Sequence, residues 1–147
     1  MHSQGQGINR VIDANINRLK EGLRVCEEIA RFIIQSPSLS MRFKTARHDV
    51  DLIFRNISKY SRLTLINDRD SLRDVGKKTF RKELDRKCVR DILFANMQRA
   101  KESTRVLEEF SKLNNKNIAL KFKKIRYDLY EIEKRTLKEI SSLFNHR

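Results

Sequence analysis

The residues most able to do chemistry occur twice. Ala14 to Glu28 and Ala95 to Glu109 share the pattern A-N-x-x-R-x-K-E-x-x-R-V-x-E-E. At about 100° per residue, Asp13, Asn17, Glu21, Arg24 and Glu28 fall within roughly a quarter of a helix. Gln98, Glu102, Arg105 and Glu109 form the matching stripe. A solvated face held by i,i+3 and i,i+4 pairs, such as Glu21 with Arg24, is one explanation. A site lining is the other, because the letters shared by the two repeats are largely polar, whereas many apolar partners differ. Asn15 and Asn96 border the apolar side, where an amide needs partners. Its fixed donors and acceptors suit interhelical bonding or the edge of a base-like ring.

A second candidate is the stretch Asn67 to Lys78, in which Asp70 and Asp74 alternate with Arg69 and Arg73 ahead of Gly76, Lys77 and Lys78. Helix connections in bundles are normally short, so a long one invites a functional explanation. Acids beside arginines and a glycine suit a loop that holds a metal–phosphate complex. An exposed charged loop is the alternative. Such a loop is expected to be mobile without ligand, since few apolar residues anchor it. The chain lacks G-x-x-x-x-G-K, G-x-G-x-x-G, C-x-x-C and H-E-x-x-H. His48, the only interior histidine, reads as a helix-face residue.

The elements that must position these residues are helices. From Ile8 to Gln35, Ile12, Ile16, Leu19, Leu23, Cys26, Ala30 and Ile33 recur at three- and four-residue steps. Ser36-Pro37-Ser38 ends this helix and starts a second, which fades near Tyr60. A weaker region follows over 61–84. A third helix is expected from about Asp85 to Leu113, and a fourth from about Asn117 to Phe144. The second and fourth also match, with Arg42 to Val50 over Lys121 to Leu129, so that Arg47 lies over Arg126. The repeat is too long for a short-repeat solenoid, and duplication of a helical hairpin accounts for it. The expected architecture is all-α: one domain over 1–147, with repeat one about 8–60, a crossover about 61–84 and repeat two about 85–145. Two such hairpins packed together make a four-helix bundle with pseudo-twofold symmetry, the first and third helices lining its interior.

Bulk properties agree. At 147 residues the chain can bury a core without disulfides or metals. One proline and four glycines suit long helices. Cys26 and Cys88 sit far apart in helix-like patterns and read as two buried thiols. No apolar run approaches a membrane span and no secretory core follows Met1, so the cytoplasm is the expected location. The net charge of +14 implies an anionic partner: nucleic acid, an acidic surface or phosphorylated small molecules. A basic helical nucleic-acid-binding module is therefore one open reading.

Beyond these patterns, Ile12-Asp13-Ala14-Asn15-Ile16-Asn17-Arg18, Glu21-Gly22-Leu23-Arg24-Val25, Ala30-Arg31-Phe32, Arg47-His48-Asp49, Asp74-Val75-Gly76, Ala95-Asn96, Arg105 to Glu109 and Arg126 to Tyr130 resemble one family. It is the small helical domain found alone or fused to thiamine phosphate synthase, identified as a hydroxymethylpyrimidine phosphate kinase. The resemblance covers nearly the whole chain. It implies phosphoryl transfer from ATP to hydroxymethylpyrimidine phosphate, giving the diphosphate used in thiamine assembly. It does not imply synthase activity, which belongs to a (β/α)8 barrel of at least about 200 residues. The sequence departs from the pattern at Cys26, Glu28, Ser71 and the pair Ser103-Thr104; Ser71 stands where the pattern has Thr, which puts a role specific to that threonine hydroxyl in doubt.

On this resemblance, Glu21, Arg24, Glu102 and Arg105 are the expected catalytic residues. Asp13, Asn15, Asn17, Arg18, Arg47, Arg69, Asp74, Gly76, Asn96, Arg99 and Arg126 are the expected substrate and nucleotide contacts. Phosphoryl transfer asks for positioning and charge neutralisation more than covalent catalysis. Arg18, Arg24, Arg99 and Arg105 suit bidentate phosphate binding. Asp74, Glu21 and Glu102 are expected to hold magnesium, with ATP as co-substrate. Asn15 or Asn17 would meet the aminopyrimidine edge. Thiamine phosphate synthase is an expected partner and a homo-oligomer is compatible with the sequence. A non-catalytic accessory domain of such a synthase is the further alternative.

Overall fold

A computed structural model describes residues 2–55 and 62–145. Five α-helices carry the fold: α1 (Gln4–Glu28), α2 (Pro37–Arg55), α3 (Arg62–Asp68), α4 (Val89–Ser111) and α5 (Lys116–Asn145). Among the described residues there is no strand. Ser3 starts α1 four residues earlier than the hydrophobic period indicates. Its hydroxyl accepts from the Gln6 backbone while the Gln6 side chain accepts from the Ser3 backbone, which satisfies two end donors. The predicted helix one therefore exists, but its last turn, Ile29–Ile34, is a π-helix. Gln35 closes that turn in the left-handed region, with φ 59°. Ser36 then accepts from the Leu39 backbone as α2 begins at Pro37.

Glu27 and Arg47 are paired at a separation of 20 residues, and their counterparts Glu108 and Arg126 at 18. The first hairpin is thus two residues longer between these pairs, and the π turn Ile29–Ile34 lies within that stretch.

The core lies where the four long helices meet. α1 packs on α4, α2 on α1, α5 on α4, and α2 on α5. Leu19, Leu23, Phe43, Val50, Leu93, Met97, Leu107, Phe122 and Leu129 are fully buried. Phe54 and Phe122 meet at 5.6 Å between ring centroids and tie α2 to α5. Buried Thr104 and Thr136 return their hydroxyls to carbonyls four residues back, at 2.6 Å each. Gly22 sits at the α1–α4 crossing: a Cβ there would lie 3.0 Å from the Asn96 carbonyl and 3.7 Å from the Ala100 Cβ.

Two expectations need correction. The crossover is not one loop: it holds α3 and the 3-10 turns Ser71–Arg73 and Arg81–Leu84, and the third long helix starts only at Val89. Cys26 is buried, but Cys88 is the exposed N-cap residue of α4. The fading of α2 near Tyr60 lies outside the described residues.

Candidate functional site

A polar recess forms where the crossover returns onto the first half of α1. Asp13, only 8% exposed, receives both arms of Arg69 at 2.7 Å each. Asn9 donates to Asp68 at 2.7 Å. Arg10 reaches the Asp70 carbonyl at 3.4 Å, and His2 meets the Asp70 carboxylate at 3.1 Å. The start of the crossover is therefore pinned by polar contacts rather than apolar ones. Beyond Ser71 its residues are exposed up to Arg90, apart from the half-buried Val89.

Between α1 and this strap lies a cavity of about 540 Å³. It gathers six of the predicted residues, Asp13, Asn15, Asn17, Arg18, Arg69 and Asp74, along with Arg10, Asp70 and Ser71. Within it Asp13 and Arg69 neutralise each other. Hydrogen bonding to Asp13 raises the Arg69 pKa above its ordinary value. Together they latch the crossover to α1. Asn15 donates to the Val11 carbonyl at 2.8 Å, leaving its amide oxygen for another partner. Asn17 makes one long contact to Asp13, 3.4 Å. Arg18 is exposed and has no hydrogen bond or ion pair among the described residues. Asp74 accepts from the Gly76 backbone at 2.8 Å and makes no ion pair among the described residues. Gly76 itself has no positive φ, so the turn does not depend on its being glycine.

The remaining predicted residues lie outside the cavity. Arg47 donates to Glu27 at 3.1 and 2.9 Å, and Arg24 bridges Glu27 and Glu28 at 3.3 Å each. In the second repeat, Arg126 donates to Glu108 at 3.0 Å, and Arg105 reaches Glu108 at 3.4 Å and Glu109 at 3.6 Å. Hydrogen bonds to Glu108 and then the Tyr130 hydroxyl raise the Arg126 pKa. These four arginines belong to two Arg–Glu–Arg clusters that join the helices of each hairpin. Glu27 and Glu108, both 5% exposed, are their centres and were not among the predicted residues. Their signal was present: both fall in the repeated pattern, and Arg47 lies over Arg126.

Asn96 repeats the bond of Asn15, donating to the Ile92 carbonyl at 2.8 Å. Arg99 is exposed and without a partner among the described residues. Glu21 and Glu102 are exposed, the latter bonded to Gln98 at 3.0 Å. No group of three or more His, Cys, Asp or Glu residues able to hold a metal occurs among the described residues. A magnesium ion here would depend on one or two carboxylates with ligand oxygens and water, which is its usual habit beside phosphates. Burial, and then the nearby Glu133 carboxylate, pushes the Cys26 thiol up to about 12, so it is inert. No helix of the described residues is long and apolar enough to cross a membrane.

The profile of the ThiD2 family matches residues 10–135. Among similar curated proteins is the thiamine-phosphate synthase of Nostoc punctiforme, 36% identical over 129 residues, which are 87% of this chain and 35% of that protein. That of Rhodopirellula baltica is 36% identical over 130 residues, 88% of this chain and 34% of the relative. That of Thermosynechococcus vestitus is 34% identical, covering 89% and 36%. The chain thus spans about a third of the length of these relatives. No solved structure matches it.

Proposed function

Because the chain belongs to the ThiD2 family, we propose that it acts in thiamine biosynthesis, moving a phosphoryl group from ATP to hydroxymethylpyrimidine phosphate. The observation that carries the reading is the cavity under the crossover, lined both by Arg18, unpaired among the described residues, and by Asp74 of the strap. A phosphate oxygen of the pyrimidine substrate attacks the γ-phosphorus, and the bond from that phosphorus to ADP breaks. The protein's work is to align the two phosphates and neutralise their charge. Arg18 suits a phosphate, and the free oxygen of Asn15 with the weakly held amide of Asn17 suits the aminopyrimidine edge. Asp74 would hold magnesium with water and phosphate oxygens completing its shell; Glu21 and Glu102, exposed outside the cavity, would reach it only through water. Arg73, Lys77 and Lys78 on the strap add positive charge where the γ-phosphate would lie.

The test is a coupled assay of ADP release with ATP, magnesium and hydroxymethylpyrimidine phosphate. Turnover that depends on the pyrimidine and falls at least tenfold in Arg18→Ala is expected. Absence of pyrimidine-dependent ADP release overturns the reading. The relatives' names favour a second one, a non-catalytic accessory domain of a thiamine phosphate synthase, since this chain matches only about a third of each. Binding of the pyrimidine phosphate without turnover would support it. Steep salt-dependent binding of RNA or DNA would instead favour a nucleic-acid module.

A further inference from the structure

We infer that Arg18 and Arg99 form one phosphate clamp, contributed by both repeats and placed at the pseudo-twofold axis between α1 and α4. The inference rests on the proposal that this protein binds phosphorylated substrates, and it specifies where a phosphate sits.

The geometry follows from the helix crossing. Gly22 lies one turn beyond Arg18 and faces α4 between Asn96 and Ala100: a Cβ on it would lie 3.0 Å from the Asn96 carbonyl and 3.7 Å from the Ala100 Cβ. Further along, the Cys26 sulfur lies 4.0 Å from the Leu93 carbonyl. Residue numbers rise along α1 as they fall along α4, so the helices run antiparallel. Extending that register back by one turn puts Arg18 beside Lys101 and Glu102, within one turn of Arg99. The two arginines are also repeat equivalents, in Asn15-Ile16-Asn17-Arg18 and Asn96-Met97-Gln98-Arg99. A pair of equivalents within a turn of one another lies close to the axis that exchanges the repeats.

Both lie on the open side of the helix pair. α2 and α5 pack against each other and cover the opposite side. Arg18 is about 40° around the helix from Gly22, toward solvent, and Arg99 has the same offset from Ser103. Both are exposed, and neither has a partner among the described residues. Each has a glutamate three residues on, Glu21 or Glu102, but pairs with neither. Arg24 and Arg105, one turn or so further, differ in kind, being held by Glu27 and Glu28 or by Glu108 and Glu109. Two unneutralised guanidinium groups facing one groove attract a multiply charged anion, and their planar forks match the oxygens of a phosphate. Arg18 also lines the cavity under the crossover, so a phosphate held at the axis belongs to a ligand that enters that cavity.

Calorimetric titration with three probes tests the clamp: ATP with magnesium, hydroxymethylpyrimidine phosphate and inorganic pyrophosphate. Arg18→Ala and Arg99→Ala should each weaken the clamped ligand about tenfold. The double variant should weaken it much less than the hundredfold that independent contacts would give, because one phosphate loses both arms. Arg18→Lys and Arg99→Lys should recover part of the loss, and Lys124→Ala, a charge-matched change on α5, should leave affinity within twofold. The probe that responds identifies whether the phosphate comes from the nucleotide or the pyrimidine. Pyrophosphate binding that needs both arginines, without kinase turnover, would keep the clamp and remove the kinase reading. Turnover with an unaffected Arg99→Ala, strictly additive losses, or no phosphate probe bound by the wild type would overturn the clamp.

Discussion

The two repeats share a scaffold, and what differs is the cover. On α1, Asp13 accepts both arms of Arg69 and so fixes the crossover over the helix. The equivalent position on α4 is Phe94, 56% exposed, with no carboxylate to receive a latch. A cavity accordingly forms beside α1 and includes Arg18, while Arg99 has no such roof. Duplication supplied two similar faces, and one asymmetric connection, which must run the length of the bundle from the end of α2 to the start of α4, converted one of them into a recess. The Arg–Glu–Arg clusters, by contrast, occur in both halves, as expected of parts that hold the hairpins together.

The sharpest test of that division is at the cluster centres. Removing one partner of a buried ion pair leaves an uncompensated charge, whereas water relieves an exposed one. Arg126 is 12% exposed and Arg47 23%, against glutamate side chains at 6% and 7%. Glu108→Ala should therefore cost about 3 kcal/mol and Glu27→Ala about 2 kcal/mol, read from urea denaturation midpoints. Both should lower stability whether or not ligand is present. Losses below about 0.5 kcal/mol at either would return these residues to a solvated face, and a larger loss at Glu27 would reverse the ranking of the repeats.

A smaller effect is expected at the helix crossing, where the repeats carry different small residues. Gly22 faces the backbone of α4, and a carbonyl oxygen cannot swing aside as a side chain can. Gly22→Ala should gain roughly 1 kcal/mol of helix propensity but force α1 from α4, for a net loss of about 1 kcal/mol. That amounts to a fall in melting temperature of about 3 °C for a chain of this size. Ser103→Ala, at the equivalent place on α4, should stay within about 0.5 kcal/mol of wild type. A stabilised Gly22→Ala would mean that the crossing is looser than 3.0 Å to the Asn96 carbonyl implies.

How far the sequence was legible follows from these same residues. The helical hairpins and their pairing could be read from Leu19, Leu23, Met97 and Leu107, because burial of an amphipathic stripe imposes its period on the sequence. The shared polar letters pointed to something built, but they merged two roles. Arg24, Arg47, Arg105 and Arg126 look like Arg18 and Arg99 on a helical projection. The partner of Arg47 lies on another helix, and only the packed structure shows that Glu27 already occupies it. The pairing of Asp13 with Arg69 leaves no trace in the sequence for the same reason: they are 56 residues apart, and the contact is tertiary. Ser3, π turn and α3 were missed because caps and turns leave little trace in a hydrophobic period.

The smallest expected effect concerns the crossover, whose two ends carry carboxylates held below the ordinary value of 3.8. For Asp70, burial pushes the pKa up, but hydrogen bonds from His2 and the Arg73 backbone, with the charges of both, outweigh it. For Asp91, the Lys87 backbone N–H contributes most, opposed by burial and assisted by Cys88. A depressed folded value means that each anion favours the docked ends above the ordinary carboxylate range, and that this preference is lost as pH falls through the lower, folded value. Acid should therefore loosen the crossover before it unfolds the bundle. Protection of the Arg73 and Lys87 amides against hydrogen exchange, corrected for intrinsic rate, should drop only as pH falls below the ordinary carboxylate value of 3.8, as the carboxylates protonate. That of Leu107 in the core should hold. Asp70→Asn at neutral pH should reproduce the loss at Arg73 and leave Lys87 unchanged, because the two ends are fastened independently. Simultaneous loss at both amides in that variant would make the strap a single cooperative unit, and unchanged protection of Lys87 in Asp91→Asn at neutral pH would show that Asp91 does not fasten the α4 end.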